Sequence, residues 1–159
     1  MDDVDISLST EAEATALIQR SKEGYVESLQ RHRGLSPQEA RAKADDDTDG
    51  PLPQGARTPG MVFLSARRGG QVVGGVWAAV QGPNRHGEAW VNFVWVDPAV
   101  RRQGLARQLM AATAAEVRSQ GARHLALNVF GDNSGAIALY DALGFQVVAQ
   151  QMTLSLTDR

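Results

Sequence analysis

The chain has 159 residues, 43% of them hydrophobic and 21% charged, with 16 Lys and Arg against 18 Asp and Glu for a formal net charge of −2. That profile fits one compact domain large enough to bury a core without staples, and the near balance of charge argues against a dedicated nucleic-acid or membrane-surface binder. The chain has no cysteine, which removes cysteine nucleophiles, thiolate zinc sites, iron–sulfur clusters and disulfide scaffolds together.

The start, Met1-Asp2-Asp3-Val4-Asp5, is acidic where a secretory signal would be basic, and no apolar stretch approaches the ~20 residues that cross a bilayer. A cytoplasmic protein without a membrane segment is expected. The short apolar segment 4–8 reads as a strand and runs into Thr10-Glu11-Ala12-Glu13, where a Thr hydroxyl and a Glu three positions on can satisfy free amides at a helix start. A helix should follow to about Arg31. Its residues Ala14, Leu17, Ile18, Tyr25 and Leu29 recur at helical intervals on one face, and Gly34 is its stop. Ser36-Pro37-Gln38-Glu39 repeats the start signal with proline at the first helical position. A second helix then carries Ala40 and Ala44 to the acidic run 45–49, and Gly50-Pro51-Leu52-Pro53 ends it.

From Met61 the pattern becomes that of strands: 61–67, a Gly69-Gly70 turn, 71–80, a Gly82-Pro83-Asn84 turn, and 88–96. A helix is expected over 105–119, a strand over 125–130, a helix over 134–143 and a last strand over 145–156. An antiparallel meander followed by alternating strands and helices gives an α/β (α+β) class, a mixed central sheet with helices on its faces. Trp77, Trp90 and Trp95 sit at strand spacing and read as core and cleft wall. His32, His86 and His124 lack metal-ligand spacing, so no metal site is expected.

One segment carries chemistry: Val94-Trp95-Val96-Asp97-Pro98-Ala99-Val100-Arg101-Arg102-Gln103-Gly104-Leu105-Ala106-Arg107. A strand ends, proline breaks it, and Gly104 lets backbone approach a ligand where a helix begins. Unpaired amides there attract an anion, and Arg101, Arg102 and Arg107 add positive charge. The segment is neither a Walker loop nor a three-glycine dinucleotide fingerprint. By itself it reads equally as a basic turn or as a diphosphate cradle.

Arg101-Arg102-Gln103-Gly104-Leu105-Ala106 resembles the pyrophosphate loop of the acetyl-CoA-dependent N-acetyltransferases of the GNAT superfamily, Arg/Gln-x-x-Gly-x-Gly/Ala. A second block at the expected distance strengthens the match. It runs Leu127-Asn128-Val129-Phe130-Gly131-Asp132-Asn133-Ser134-Gly135-Ala136-Ile137-Ala138-Leu139-Tyr140-Asp141-Ala142-Leu143-Gly144-Phe145. The resemblance is clear over about 88–152. It implies a GNAT fold in a single domain over 1–159, with 1–60 forming an acceptor-side lip and 61–156 the sheet and acetyl-CoA-binding core.

The resemblance also implies roles. Backbone groups of Val94 and Val96, flanking Trp95, would pair with pantetheine as with an added strand, which requires the neighbouring strand to splay away, often at a bulge. Amides from Arg102 through Gln103, Gly104, Leu105 and Ala106 to Arg107, beside Arg101, would hold the pyrophosphate. Asn133 and Ala136 would belong to the cofactor-binding set, and Tyr140 would point toward the cofactor sulfur. Asn133 followed by Ser134 also reads as a helix cap.

The implied reaction needs a neutral amine, a polarised carbonyl and a protonated leaving thiolate. At pH 7 a lysine of pKa ~10.4 is neutral in about one molecule in 2,500, and an α-amine near ~7.8 in roughly one in seven. Tyrosine at ~10 is protonated and can donate to the departing sulfur, so Tyr140 suits the acid, while the Val96 amide would hold the carbonyl oxygen. The base is open. Glu88 would share a face with Trp90, Asn92, Val94 and Val96 by period-two alternation, and Asn92 can instead order a relaying water. Asn128 is a further candidate for the cleft. The reading is therefore transfer of acetyl from acetyl-CoA to a primary amine by direct attack in a ternary complex, in a monomer or homodimer. The alternative is a non-catalytic acyl-CoA sensor with the same fold.

Overall fold

The computed structural model describes residues 3–82 and 86–157. The first two residues of the acidic start, and Pro83 and Asn84 of the turn expected after the second meander strand, lie outside them. The chain divides into two compact units, Met1–Asn128 and Val129–Arg159.

The first unit is built on a five-stranded sheet in the order β1-β2-β3-β4-β5. Its strands are β1 (Val4–Leu8), β2 (Met61–Arg68), β3 (Gln71–Ala79), β4 (Glu88–Val96) and β5 (His124–Ala126). β1 to β4 are antiparallel neighbours, and β5 lies parallel to β4. The helices are α1 (Glu11–Arg33), α2 (Pro37–Asp49) and α3 (Leu105–Ser119). Both of the first two begin with capping boxes, Thr10 with Glu13 and Ser36 with Glu39. Gly34 ends α1 in the left-handed region at φ 64°.

Two faces of the sheet are covered by different helices. On one, Ala14 and Leu17 of α1 pack with Phe63, Trp77 and Leu52, the rings of Phe63 and Trp77 stacking at 6.0 Å. On the other, Val117 of α3 packs with Val62, Leu64 and Ala89. Gly74 and Gly75 of β3 let both helices approach. A Cβ on Gly75 would meet Leu17 Cδ1 at 3.1 Å, and one on Gly74 would meet Leu109 Cδ1 at 3.1 Å and the Trp95 carbonyl oxygen at 3.0 Å. α2 packs on α1 through Leu29, Ala40 and Ala44.

The acidic run at the end of α2 is held by its neighbours. Lys22 reaches Asp45 and Asp49 at 3.3 and 3.0 Å, Tyr25 donates to Asp47 at 2.8 Å, and Lys43 pairs with Asp47 at 2.9 Å. The Asp49 contact holds the Lys22 ammonium above its usual range, and Lys43 holds the Asp47 carboxyl below its own. Arg67 joins β2 to α1: its Nε donates to Glu13 Oε1 at 2.9 Å, its Nη2 to Glu13 Oε2, and its Nη1 to Ser7 Oγ at 2.7 Å.

The second unit contains α4 (Ser134–Ala142). Two expectations are corrected by the backbone. The strand expected over 125–130 is shorter and shifted, pairing with β4 only at His124, Leu125 and Ala126. The last strand expected over 145–156 is not formed among the described residues. Alternating apolar residues suit a strand but cannot make one without a neighbour's backbone groups, and Val147, Val148, Met152, Leu154 and Leu156 of that segment are exposed.

Candidate active site

The register of β4 against β3 decides what this strand presents. Trp77 pairs with Phe93, but the next residue, Ala78, pairs with Val91. Asn92 is therefore the extra residue of a β-bulge, which turns the strand and reverses its alternation at that point. The expected common face of Glu88, Trp90, Asn92, Val94 and Val96 is thus overturned. Trp90 pairs with Ala79, two residues along β3 from Trp77, so Glu88, Trp90, Phe93 and Trp95 take the α1 side. Phe93 and Trp95 pack on the cluster of Ala14 and Leu17, whereas Ala89, Val91, Val94 and Val96 take the α3 side. Asn92 is exposed.

The same place marks the end of β4's outer ladder. β5 pairs with Glu88, Ala89 and Trp90 and no further, so among the described residues of the sheet no strand covers the outer edge of β4 from Val91 to Val96. An uncovered strand edge offers backbone N–H and C=O groups to an extended partner. Glu88 is buried, with 8% of its surface exposed, and four residues of strand rise separate it from Asn92 by about 13 Å.

Beyond Val96 the chain is shaped by its own hydrogen bonds. The Asp97 amide donates to the Val73 carbonyl at 2.8 Å, and the Asp97 carboxylate accepts from the Ala99 amide at 2.9 Å. A single 3-10 turn (Pro98–Val100) follows. Arg101 Nε donates to the Val96 carbonyl at 3.1 Å. Arg102 stands at φ 63° and Gly104 at φ 79°. A left-handed arginine is an uncommon backbone state that clusters at ligand sites. Gln103 Oε1 accepts from Arg68 Nη1 at 3.2 Å, tying the loop to the end of β2.

α3 begins differently from the other helices. α1, α2 and α4 each have a side-chain cap, in the last of which Asn133 Oδ1 accepts from the Ala136 amide at 3.2 Å. Gly104 offers α3 none, and the first turn holds no acidic residue. Its leading amides are therefore left for an external acceptor, with the positive end of the helix dipole behind them and Arg101, Arg102 and Arg107 around them. Such an arrangement can accept an anion.

The family model for the GNAT acetyltransferases matches residues 25–145. The chain belongs to the GNAT acetyltransferase family. Over 90 residues, 52% of this chain and 29% of the relative, it is 40% identical to mycothiol acetyltransferase of Amycolatopsis mediterranei (strain U-32). The chain thus spans under a third of that relative's length. The crystal structure of YycN from Bacillus subtilis superposes with a TM-score of 0.86 at 25% identity, covering 98% of this chain and all of that one. Aminoglycoside N-acetyltransferase AAC(6')-Iy, solved in complex with CoA, shares the fold at a TM-score of 0.64 and 19% identity, over 98% of this chain and 95% of that one.

Within this GNAT chain, Val94, Trp95, Val96, Arg101, Arg102, Gln103, Gly104, Leu105, Ala106 and Arg107 form one continuous stretch of the first unit, together with Glu88 and Asn92 on β4. Asn133, Ala136 and Tyr140 stand in the second unit. There Asn133 keeps its Nδ2 donors after capping α4, and the Tyr140 ring lies 5.5 Å from that of Phe145. Burial pushes the Tyr140 phenol up. Among the described residues no helix is long and apolar enough to cross a membrane. A separate cleft of about 340 Å³ lies between Thr10, Arg57 and the C-terminal end of α3 at Gln120, and contains none of the expected site residues.

Sequence reasoning missed Arg68 and Arg20. The end of β2 carries Arg68 to the loop, a placement that only the strand register reveals. Arg20 of α1 lays its guanidinium over the Trp95 ring, 3.8 Å from the centroid. Its signal depended on the bulge, because an unbroken alternation leaves Trp95 on the other face.

Proposed function

We propose that the chain transfers the acetyl group of acetyl-CoA to a primary amine by direct attack in a ternary complex. The observation that carries the reading is the coincidence, at the end of one strand, of an uncovered backbone edge and an uncapped, cationic helix start. Pantetheine would add to β4 through the backbone of Val94 and Val96, and its diphosphate would take the amides from Arg102 to Arg107. The bulge at Asn92 supports this, since it separates the part of β4 held by β5 from the part left open.

In the transfer, the amine nitrogen attacks the thioester carbonyl, the Val96 amide stabilises the developing oxyanion, and the C–S bond breaks. The amine loses a proton and the departing thiolate gains one. Tyr140 has the chemistry for the second transfer, because a phenol with its pKa raised by burial remains a proton donor at neutral pH. For the first, Asn92 at the bulge would order the water that takes the proton. Glu88, about 13 Å up the strand, would act only through such water.

Coenzyme A release across a panel of primary amines tests the reading, with calorimetric titration of acetyl-CoA alongside. With no cysteine in the chain, a thiol reagent detects the product against no protein background. Tight acetyl-CoA binding with turnover supports the transferase. Binding without turnover on any amine returns the acyl-CoA sensor, and no binding ends both readings.

A further inference from the structure

We propose that Arg20 selects an acceptor amine that also carries a carboxylate, which it holds on the guanidinium laid over Trp95. The inference deepens the acetyltransferase reading and rests on it, since it assigns the α1 side of β4 to the acceptor.

Arg20 forms no ion pair with a carboxylate of its own helix. Its neighbours four residues away are Ala16 and Gly24, the residue three before it is the buried Leu17, and Glu23, three after it, accepts from Gln19 at 3.3 Å. Nearby, Lys22 pairs with Asp45 and Asp49, Arg31 with Glu27, and Lys43 with Asp47. Arg20 forms no ion pair among the described residues. Its contact is instead the ring of Trp95, which occupies one face of the guanidinium and leaves the in-plane N–H fork for a bidentate anion. Stacking fixes the plane of that fork, so less entropy is lost when a carboxylate docks.

The surroundings complete the site. The bulge at Asn92 turns Phe93 and Trp95 toward α1, and Gly24 leaves the space beside Phe93 unfilled, a Cβ there lying 3.9 Å from the ring. Asp45, Asp47 and Asp49 of α2 are held by Lys22, Tyr25 and Lys43, and none of them pairs with Arg20. Two ligands could supply an anion here, the acceptor and coenzyme A itself. The coenzyme's diphosphate is assigned to the start of α3, which packs on the opposite face of the sheet from α1. The acceptor is therefore the source.

The test compares amines in pairs that differ only in the anion: glycine with glycinamide, and β-alanine with β-alaninamide. Coenzyme A release is measured for the wild type, Arg20→Gln and Arg20→Lys. A charge-assisted hydrogen bond to a carboxylate predicts that Arg20→Gln lowers kcat/KM for the carboxylate members about 10- to 100-fold. The amide members and the KM for acetyl-CoA stay within about twofold, and Arg20→Lys recovers part of the loss. Equal loss on both members overturns the proposal, as does a wild type indifferent to the carboxylate. A rise in the acetyl-CoA KM alone assigns the anion to the cofactor and also overturns it.

If no amine is turned over, the acetyltransferase reading fails separately, and a binding measurement decides Arg20. In isotope-labelled protein loaded with coenzyme A, N-acetylglycine should shift the Arg20 Nε–H resonance where N-acetylglycinamide does not. An unmoved resonance refutes the site.

Discussion

The pair formed by Glu13 and Arg67 makes a prediction whose size follows from its geometry. Both Glu13 oxygens accept from the Arg67 guanidinium, and each side chain keeps only 19% of its surface exposed. The arginine and the Thr10 amide together lower the Glu13 pKa from 4.5 to about 2. At about 1.4 kcal/mol per unit the shift corresponds to about 3 kcal/mol, reduced toward about 2 by the rim left in contact with water. The folded-state value is depressed, so the stabilisation is complete above pH 4.5 and is lost as pH falls from 4.5 toward about 2. Other carboxylates titrate in the same window, so the informative quantity is a difference. Urea unfolding of the wild type and of Glu13→Gln should separate by about 2–3 kcal/mol at pH 7, with the gap closing progressively below pH 4.5. A gap that stays constant down to pH 3 refutes the claim that the charge of Glu13 is what Arg67 holds.

Other substitutions probe packing and the site. Gly74→Ala places a methyl 3.0 Å from the Trp95 carbonyl oxygen and 3.1 Å from Leu109, so a loss of about 1–3 kcal/mol is expected in thermal unfolding. Gly24→Ala meets only Phe93, at 3.9 Å, and should stabilise the protein by about 0.8–1 kcal/mol through helix propensity. Arg68→Met removes the hydrogen bond to Gln103 and should raise the KM for acetyl-CoA about 3- to 10-fold with kcat little changed. Tyr140→Phe should lower kcat by about 100-fold or more while calorimetry shows coenzyme A binding unchanged.

Much of the fold is legible in local signals, because its helices begin and end on them. The capping boxes at Thr10 and Ser36, Gly34, and the pattern from Gly104 to Ser119 mark α1, α2 and α3 nearly to the residue. Strands are harder, since a strand is a relation between segments. The span from Glu88 to Val96 is plain in the sequence, but its bulge is not. Only Asn92, a polar residue among apolar ones, hints at it, and the partner register with Trp77 and Ala78 is needed to place it. The face assigned to Val94, Val96 and Trp95 depends on that single residue. The expected strand over 145–156 failed for the same reason, as periodicity describes a segment and not its neighbour. The turn around Gly104 was readable because its shape is carried by backbone conformation, which glycine and proline announce.

Amide chemical shifts of isotope-labelled protein titrated with coenzyme A put the central claim to the most direct test. The amides from Arg102 to Arg107 and those of Val94 and Val96 should shift together and saturate together. Binding that moves neither the start of α3 nor the free edge of β4, or that moves only residues elsewhere, contradicts the account.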